Sequence, residues 1–172
     1  WRKATNGAVT LRIYGGGVVG DEKAMIRKMR VGQLQAATVT GLGLAPLEKS
    51  FYALLVPMMF ADDGELDRVR ERLAQRLEQQ LEKQGFVVLA WGDAGWISFF
   101  TKTPVTRPAE AMATKLFIGT DDSTVVQLYK ETGFNPVQLS AVDILPGLQT
   151  GMLNAFSGTP LAALAFQWFA LA

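Results

Sequence analysis

Gly15, Gly17 and Gly20 stand in the spacing G-x-G-x-x-G, with an alternating apolar segment before them and a helical pattern after. That context is the one a dinucleotide-binding turn requires: glycines let the backbone approach a pyrophosphate at a helix N-terminus. Two local features oppose the reading. Asp21 and Glu22 put carboxylates where the pyrophosphate would sit, and Thr40-Gly41, not an acid, follows the next expected strand, where a ribose would be held. The turn is therefore read as one that lets a ligand or another lobe approach, with a nucleotide-dependent oxidoreductase as the alternative. The pairs Asp62-Asp63 and Asp121-Asp122 could serve as catalytic carboxylates, but each opens an expected helix, where Asp is a common cap. Trp91, Trp96, Phe99 and Phe100 cluster around one turn. Core packing is the default for such a group, and Trp91 and Trp96 are the better candidates for a ligand wall.

Composition removes other chemistries. There is no Cys and no His, which excludes a nucleophile paired with a His base and thiolate or imidazole zinc sites. Seventeen Lys and Arg against sixteen Asp and Glu give a charge of +1, and no basic run exceeds two residues, so a nucleic-acid binder is not expected. With 49% hydrophobic and 19% charged residues, the 172-residue chain has the makings of a globular fold. The longest apolar stretch, 160–172, is too short to span a bilayer and is interrupted by Gln167; it reads as a buried helix.

The elements that must position these residues alternate between strand and helix, which predicts an α/β fold. Strands are expected at 8–14, 35–40, 86–91, 96–101, 114–118, 136–139 and 152–156. The run Phe86 to Trp91 is continuously apolar, as for a strand buried on both faces. Helices are expected at 21–31, at 44–57 in a short form ending near Pro57, at 62–84, 108–113, 122–132, 141–150 and 159–171. The helix at 62–84 is the clearest: Leu66, Val69, Leu73, Leu77 and Leu81 form one stripe, Asp62 and Glu65 suggest a capping box, and Gly85 supplies a stop. Thr159 is read as N-cap with Pro160 at the first helical position. The segment 103–108, with Pro104 and Pro108, is the best boundary between lobes.

Taken together, several segments carry a resemblance. Leu11-Arg12-Ile13-Tyr14, the turn through Gly20-Asp21-Glu22, and Met29-Arg30-Val31-Gly32-Gln33-Leu34 come first. Leu55-Val56-Pro57-Met58-Met59-Phe60, Gly85 to Ala90 and Gly92-Asp93-Ala94-Gly95-Trp96 follow. Gly133-Phe134-Asn135-Pro136-Val137 and the run from Asp143 to Leu148-Gln149-Thr150-Gly151 are the sharpest. In their order and spacing they resemble the DctP-like extracytoplasmic solute-binding proteins of tripartite TRAP transporters.

The resemblance implies a periplasmic-binding-protein-like fold of two α/β lobes closing on a solute, with no catalysis and no cofactor. It implies a periplasmic or extracytoplasmic location and two partners, a small organic solute, typically an organic acid, and the membrane permease subunits. A sensory ligand-binding module built on the same lobe is the other alternative. Lobe one would be 1–102 and lobe two 103–172, the latter partial, with a first strand expected before Trp1 and returning segments after Ala172. An incomplete second lobe would leave Leu161, Leu164, Ala165, Trp168 and Phe169 exposed. The family places a carboxylate-binding Arg where Phe117 stands and an Asn-Pro where Thr159-Pro160 stands. The ligand-binding residues expected from all of this are Trp91, Trp96, Phe117 and Thr159.

Overall fold

The computed structural model describes residues 1–119 and 123–171, in two compact units, 1–37 and 38 onward. The Asp121-Asp122 pair lies outside the described residues.

The first unit holds one helix, α1 (Glu22–Arg30). Asp21 caps it, its Oδ1 accepting from the Ala24 N–H at 2.8 Å, while Arg27, Lys28 and Arg30 stand in the last turn, where cations offset the helix dipole. Ile26 is its buried residue, and Lys28 Nζ donates to the Val19 carbonyl at 2.6 Å. Gly20 has φ 101°, and a Cβ there would lie 2.8 Å from that of Ala24, so only glycine lets the turn enter the helix at this angle. Residues 8–14 and 35–40 are not strands, contrary to the pattern. Their alternation supplies a face but no neighbour: among the described residues nothing forms a ladder with them, and Ile13 is 85% exposed.

In the second unit the short helix expected to end near Pro57 is not one helix: α2 (Gly41–Leu44) is followed by a 3₁₀ turn over Lys49–Leu54. Pro46 lies between them, and a proline lacks the N–H that a continuing helix would use. Glu48 opens the 3₁₀ turn by accepting from the Ser50 hydroxyl at 2.6 Å and the Ser50 N–H at 3.0 Å. Helix α3 (Asp63–Lys83) follows. Asp62 Oδ1 accepts from the Glu65 N–H, and Glu65 Oε2 accepts from the Ala61 N–H, both at 2.8 Å. Leu77 and Leu81, both buried, seat the helix on Ala45 and Phe51, with Leu73, Phe86, Val88 and Trp91 packed around them. The run 86–91 is not a strand buried on both faces. Phe86, Val88 and Trp91 turn to α3, whereas Val87 is 74% exposed and Leu89 also faces outward. One layer covers it instead of two.

The sheet comes next. Its strands are β1 (Ser98–Thr101), β2 (Lys115–Ile118), β3 (Asn135–Gln138) and β4 (Ala155–Gly158), in the order β1-β4-β2-β3. Strands β2, β3 and β4 are parallel, and β1 joins β4 antiparallel. Helix α4 (Pro108–Met112) precedes β2, α5 (Ser123–Glu131) links β2 to β3, α6 (Ile144–Thr150) links β3 to β4, and α7 (Pro160–Ala165) follows β4. Alternate residues point to opposite faces. Phe100, Phe156, Phe117 and Val137 form a row across all four strands, packed with Ile144 and Leu148 of α6, Leu153, Ala163 and Trp168. Leu116, Ile118 and Ala155 face the other way, toward Val126 of α5, Tyr129 and Phe134. Crossovers that leave β2 in one direction and return past it in the other put their helices on opposite faces when each is right-handed, and the two clusters reflect that.

Several boundaries differ from expectation: β1 starts at Ser98 and not at 96, and α6 starts at Ile144 after a 3₁₀ turn over Ala141–Asp143. Strand β4 starts at Ala155 and not at Met152, because the chain is first tied back to α6, where the Leu153 N–H donates to the Gly147 carbonyl at 2.9 Å. The final helix stops at Ala165. Gln167 has φ 59°, a 3₁₀ turn over Trp168–Leu171 follows, and Trp168 swings inward edge-on to Phe156 at 5.4 Å. Trp168 is therefore buried, at 7% exposure, whereas Leu161, Leu164 and Phe169 are exposed as the sequence suggests. The far end of α6 is held by lysines: Lys102 Nζ donates to the Leu148 carbonyl and Lys115 Nζ to that of Gly151. Asn154 Oδ1 accepts from the Lys115 N–H, and the Asn154 carbonyl accepts from the Lys102 N–H. Among the described residues no helix is long and apolar enough to cross a membrane.

Candidate functional site

In an open α/β sheet the natural crevice lies beyond the carboxyl ends of the parallel strands, where the strand order reverses. Here the chain runs from β2 outward to β3 and then back past β2 to β4, so the reversal falls between β2 and β4. The residues that leave the strands at that edge are Gly119, Ser140 and Thr159. Because β1 is antiparallel and Ser98 pairs with Gly158, the residues entering β1, Trp96 and Ile97, arrive at the same edge.

Three of the four expected residues stand at or next to that edge. Phe117 stands in the core row, half-buried, with its ring tip 3.1 Å from where a Cβ on Gly119 would lie. A side chain at 119 would press on that ring and require it to give by a few tenths of an ångström. Thr159 begins α7, its Oγ1 accepting from the Ala162 N–H at 3.2 Å, which commits one lone pair to the cap and leaves the hydroxyl proton as the group to offer a solute. Trp96 is 48% exposed, just after a turn in which Asp93 Oδ1 accepts from the Gly95 N–H at 2.7 Å. Trp91 is placed elsewhere, in the α3 layer. Its Nε1 donates to Glu78 Oε1 at 2.6 Å, and its ring lies 6.1 Å from that of Phe51.

Sequence reasoning missed Gly119 and Ser140. Ser140 occupies an N-cap position at the edge, but its side chain makes no capping bond. The signal for it was present as Ser140 three residues before Asp143, a spacing typical of helix starts. Gly119 carries its meaning only through the ring of Phe117, which the sequence does not position.

The Gly15–Gly20 turn lacks the context of a dinucleotide site. The segment before it is not a strand, and the Asp21 carboxylate already holds the Ala24 N–H that a phosphate would seek. Among the described residues no cluster of three or more Asp or Glu could hold a metal ion. The displaced carboxyl groups sit at helix starts. Glu48 is held below its ordinary value by the Ser50 hydroxyl and then the Ser50 N–H. Glu110 is held below its own by the N–H groups of Thr106, at 2.8 Å, and of Arg107, at 3.1 Å.

Comparison with known proteins points the same way as this geometry. The profile of the bacterial extracellular solute-binding proteins, family 7 (DctP), matches residues 1–168. The 2,3-diketo-L-gulonate-binding periplasmic protein YiaO of Escherichia coli K12 is 26% identical over 157 residues, which make up 90% of this chain and 47% of that protein. The chain spans about half the length of the curated relatives it matches. A TRAP periplasmic solute-binding protein from Xanthobacter autotrophicus Py2, solved with β-D-galacturonate, superposes with a TM-score of 0.91 at 21% identity, covering 99% of this chain and 57% of that one. Another from Sulfurospirillum deleyianum, solved with succinate, gives 0.88 at 21% identity, covering 97% and 54%. At such identities the likeness to these two structures is one of fold.

Proposed function

Because the chain belongs to family 7 of the bacterial extracellular solute-binding proteins, we propose that it captures a small organic solute outside the cytoplasmic membrane and delivers it to the membrane subunits of a tripartite TRAP-type transporter. The single observation that carries this reading is the family match over residues 1–168. The role is binding and not catalysis: lobe closure on the solute shifts the population toward a closed, transfer-competent form. The lobes are 1–102 and 103–172, joined at the proline-bearing segment 103–108. Support for that boundary is the exit of the chain from β1 there into a stretch with no ladder of its own before α4.

The solute sits beyond the carboxyl edge of the sheet, against Trp96, Phe117 and Thr159, whereas Trp91 stays in the α3 layer. Phe117 takes the place in which the resembled family carries a carboxylate-binding Arg. A phenyl ring cannot pair a carboxylate, and a second carboxylate left unpaired in a closed cleft costs several kcal/mol. The solute is therefore larger, less charged or more apolar than succinate, held by aromatic contact and a few hydrogen bonds. Calorimetry with a panel of C4 diacids, sugar acids, amides and aromatic acids tests this. Micromolar affinity for a member other than a C4 diacid, weakened about tenfold or more by Phe117→Ala, is the expected result. Micromolar binding of succinate by the unmutated protein, or full affinity after Phe117→Ala, overturns the assignment.

A further inference from the structure

The net charge of +1 conceals a division. Residues 1–37 hold seven Lys and Arg against Asp21 and Glu22, a net +5, whereas the remainder holds ten against fourteen, a net −4. Arg27, Lys28 and Arg30 lie in the last turn of α1, where the helix dipole favours cations, and Lys28 turns back to the Val19 carbonyl. Lys23 lies in the first turn, where the dipole disfavours a cation, and Arg2, Lys3 and Arg12 lie outside the helix altogether. Lys23, Arg27 and Arg30 follow one another at intervals of four and three, so they share one exposed face of α1, and Ile26 occupies the buried side.

We infer that the first unit is a docking surface for anionic phospholipid headgroups, holding the protein against the membrane with α1's Lys23–Arg27–Arg30 face turned to it. A field from such a surface acts over about 8 Å at physiological salt, within reach of cations lying on the first unit's surface. A lipid surface is favoured over an acidic protein or a nucleic acid by the way the cations are arranged. They are spread along the helix and on the segment before it, not gathered at one recessed point, and exposed Trp1 and Tyr14, side chains suited to headgroup depth, lie among them. Arg12 lies over the Tyr14 ring at 5.1 Å, which carries a cation and an amphipathic ring together.

Flotation with vesicles tests the inference. Phosphatidylcholine vesicles containing phosphatidylglycerol should bind the chain about tenfold or more better than phosphatidylcholine alone, and added salt should erase the difference. The triple change Lys23→Glu, Arg27→Glu, Arg30→Glu should abolish binding. The same number of reversals on α3, at Arg68, Arg72 and Arg76, should leave it within about twofold, since the charge lies in the other unit. Circular dichroism checks that each variant folds, and the neutral variant Lys23→Gln, Arg27→Gln, Arg30→Gln replaces the first if it does not. The inference fails if anionic vesicles do not bind the chain at low salt. It also fails if the α3 reversals weaken binding as much as the α1 reversals, or if polyglutamate or a DNA duplex competes at equal charge as well as the vesicles bind.

Discussion

Strand β2 and the segment 86–91 look alike on paper and end up in opposite circumstances. Both are short apolar runs. In β2, Leu116 and Ile118 meet α5 on one face while Phe117 meets the α6 cluster on the other, and both ladders are filled by β3 and β4. In 86–91, Phe86, Val88 and Trp91 reach α3, but Val87 and Leu89 face outward and no ladder forms among the described residues. An apolar run states a demand for burial; whether one layer or two meets it depends on residues far away in the chain. The difference marks the sheet as the part whose geometry is over-determined and the α3 layer as the part held from one side.

The contrast can be broken by mutation. Phe156→Ala removes a fully buried ring that stacks on Phe100 at 4.7 Å, and should cost about 3–5 kcal/mol in denaturant unfolding, whereas Val87→Ala should stay within about 0.5 kcal/mol. Comparable losses for the two would show that 86–91 is covered on both sides in solution. Leu81→Ala, in the one-sided layer, should cost about 2–4 kcal/mol, read by the same unfolding curve. Thr159→Ala, which deletes the cap at the sheet edge, should lower stability by about 1 kcal/mol, and Thr159→Ser should restore most of it. A Ser variant as unstable as Ala would mean that the Thr methyl, and not its oxygen, matters there.

The smallest effect concerns acid. Glu48 in the α3 layer and Glu110 before β2 both have carboxyl groups held below the ordinary 4.5 by hydrogen bonds at helix starts. A depressed folded value means the stabilisation is complete above 4.5 and is lost as pH falls through 4.5 and below it. Carboxyl titration by NMR should place both below that value, and Glu48→Gln and Glu110→Gln should each flatten the acid limb of the stability profile slightly. A titration of Glu110 at or above 4.5 would remove the cap bonds from Thr106 and Arg107 as their source.

Helices were the more legible part of the sequence, because their signals are local. Asp21, Asp62 and Thr159 cap where their types suggest, and the stripe ending in Leu77 and Leu81 faces the core. Strands 115–118 and 135–138 were legible to within a residue, since the helices that flank them fix their ends. The alternation at 8–14 was misleading for a physical reason: a pattern predicts a face and cannot supply the strand beside it. The Met152-Leu153 segment misled because its backbone is spent on α6. At the candidate site, Phe117 and Thr159 came from the family resemblance and Trp96 from its place beside a turn, and the strand order that puts all three near one sheet edge is not written in any of them.

Consider last the far end of α6. A methyl group on Gly147 would stand 2.9 Å from Leu153 Cδ1, so the helix can seat in only one axial position; sliding it by a residue would drive Pro146 or Leu148 into that contact. With Lys102 bonded to the Leu148 carbonyl and Lys115 to that of the capping Gly151, the helix is keyed lengthwise and tied at its C-terminal end. A substitution at Gly147 therefore acts on α6 as a lengthwise wedge, and its effect is read at the Lys102 bond to the Leu148 carbonyl.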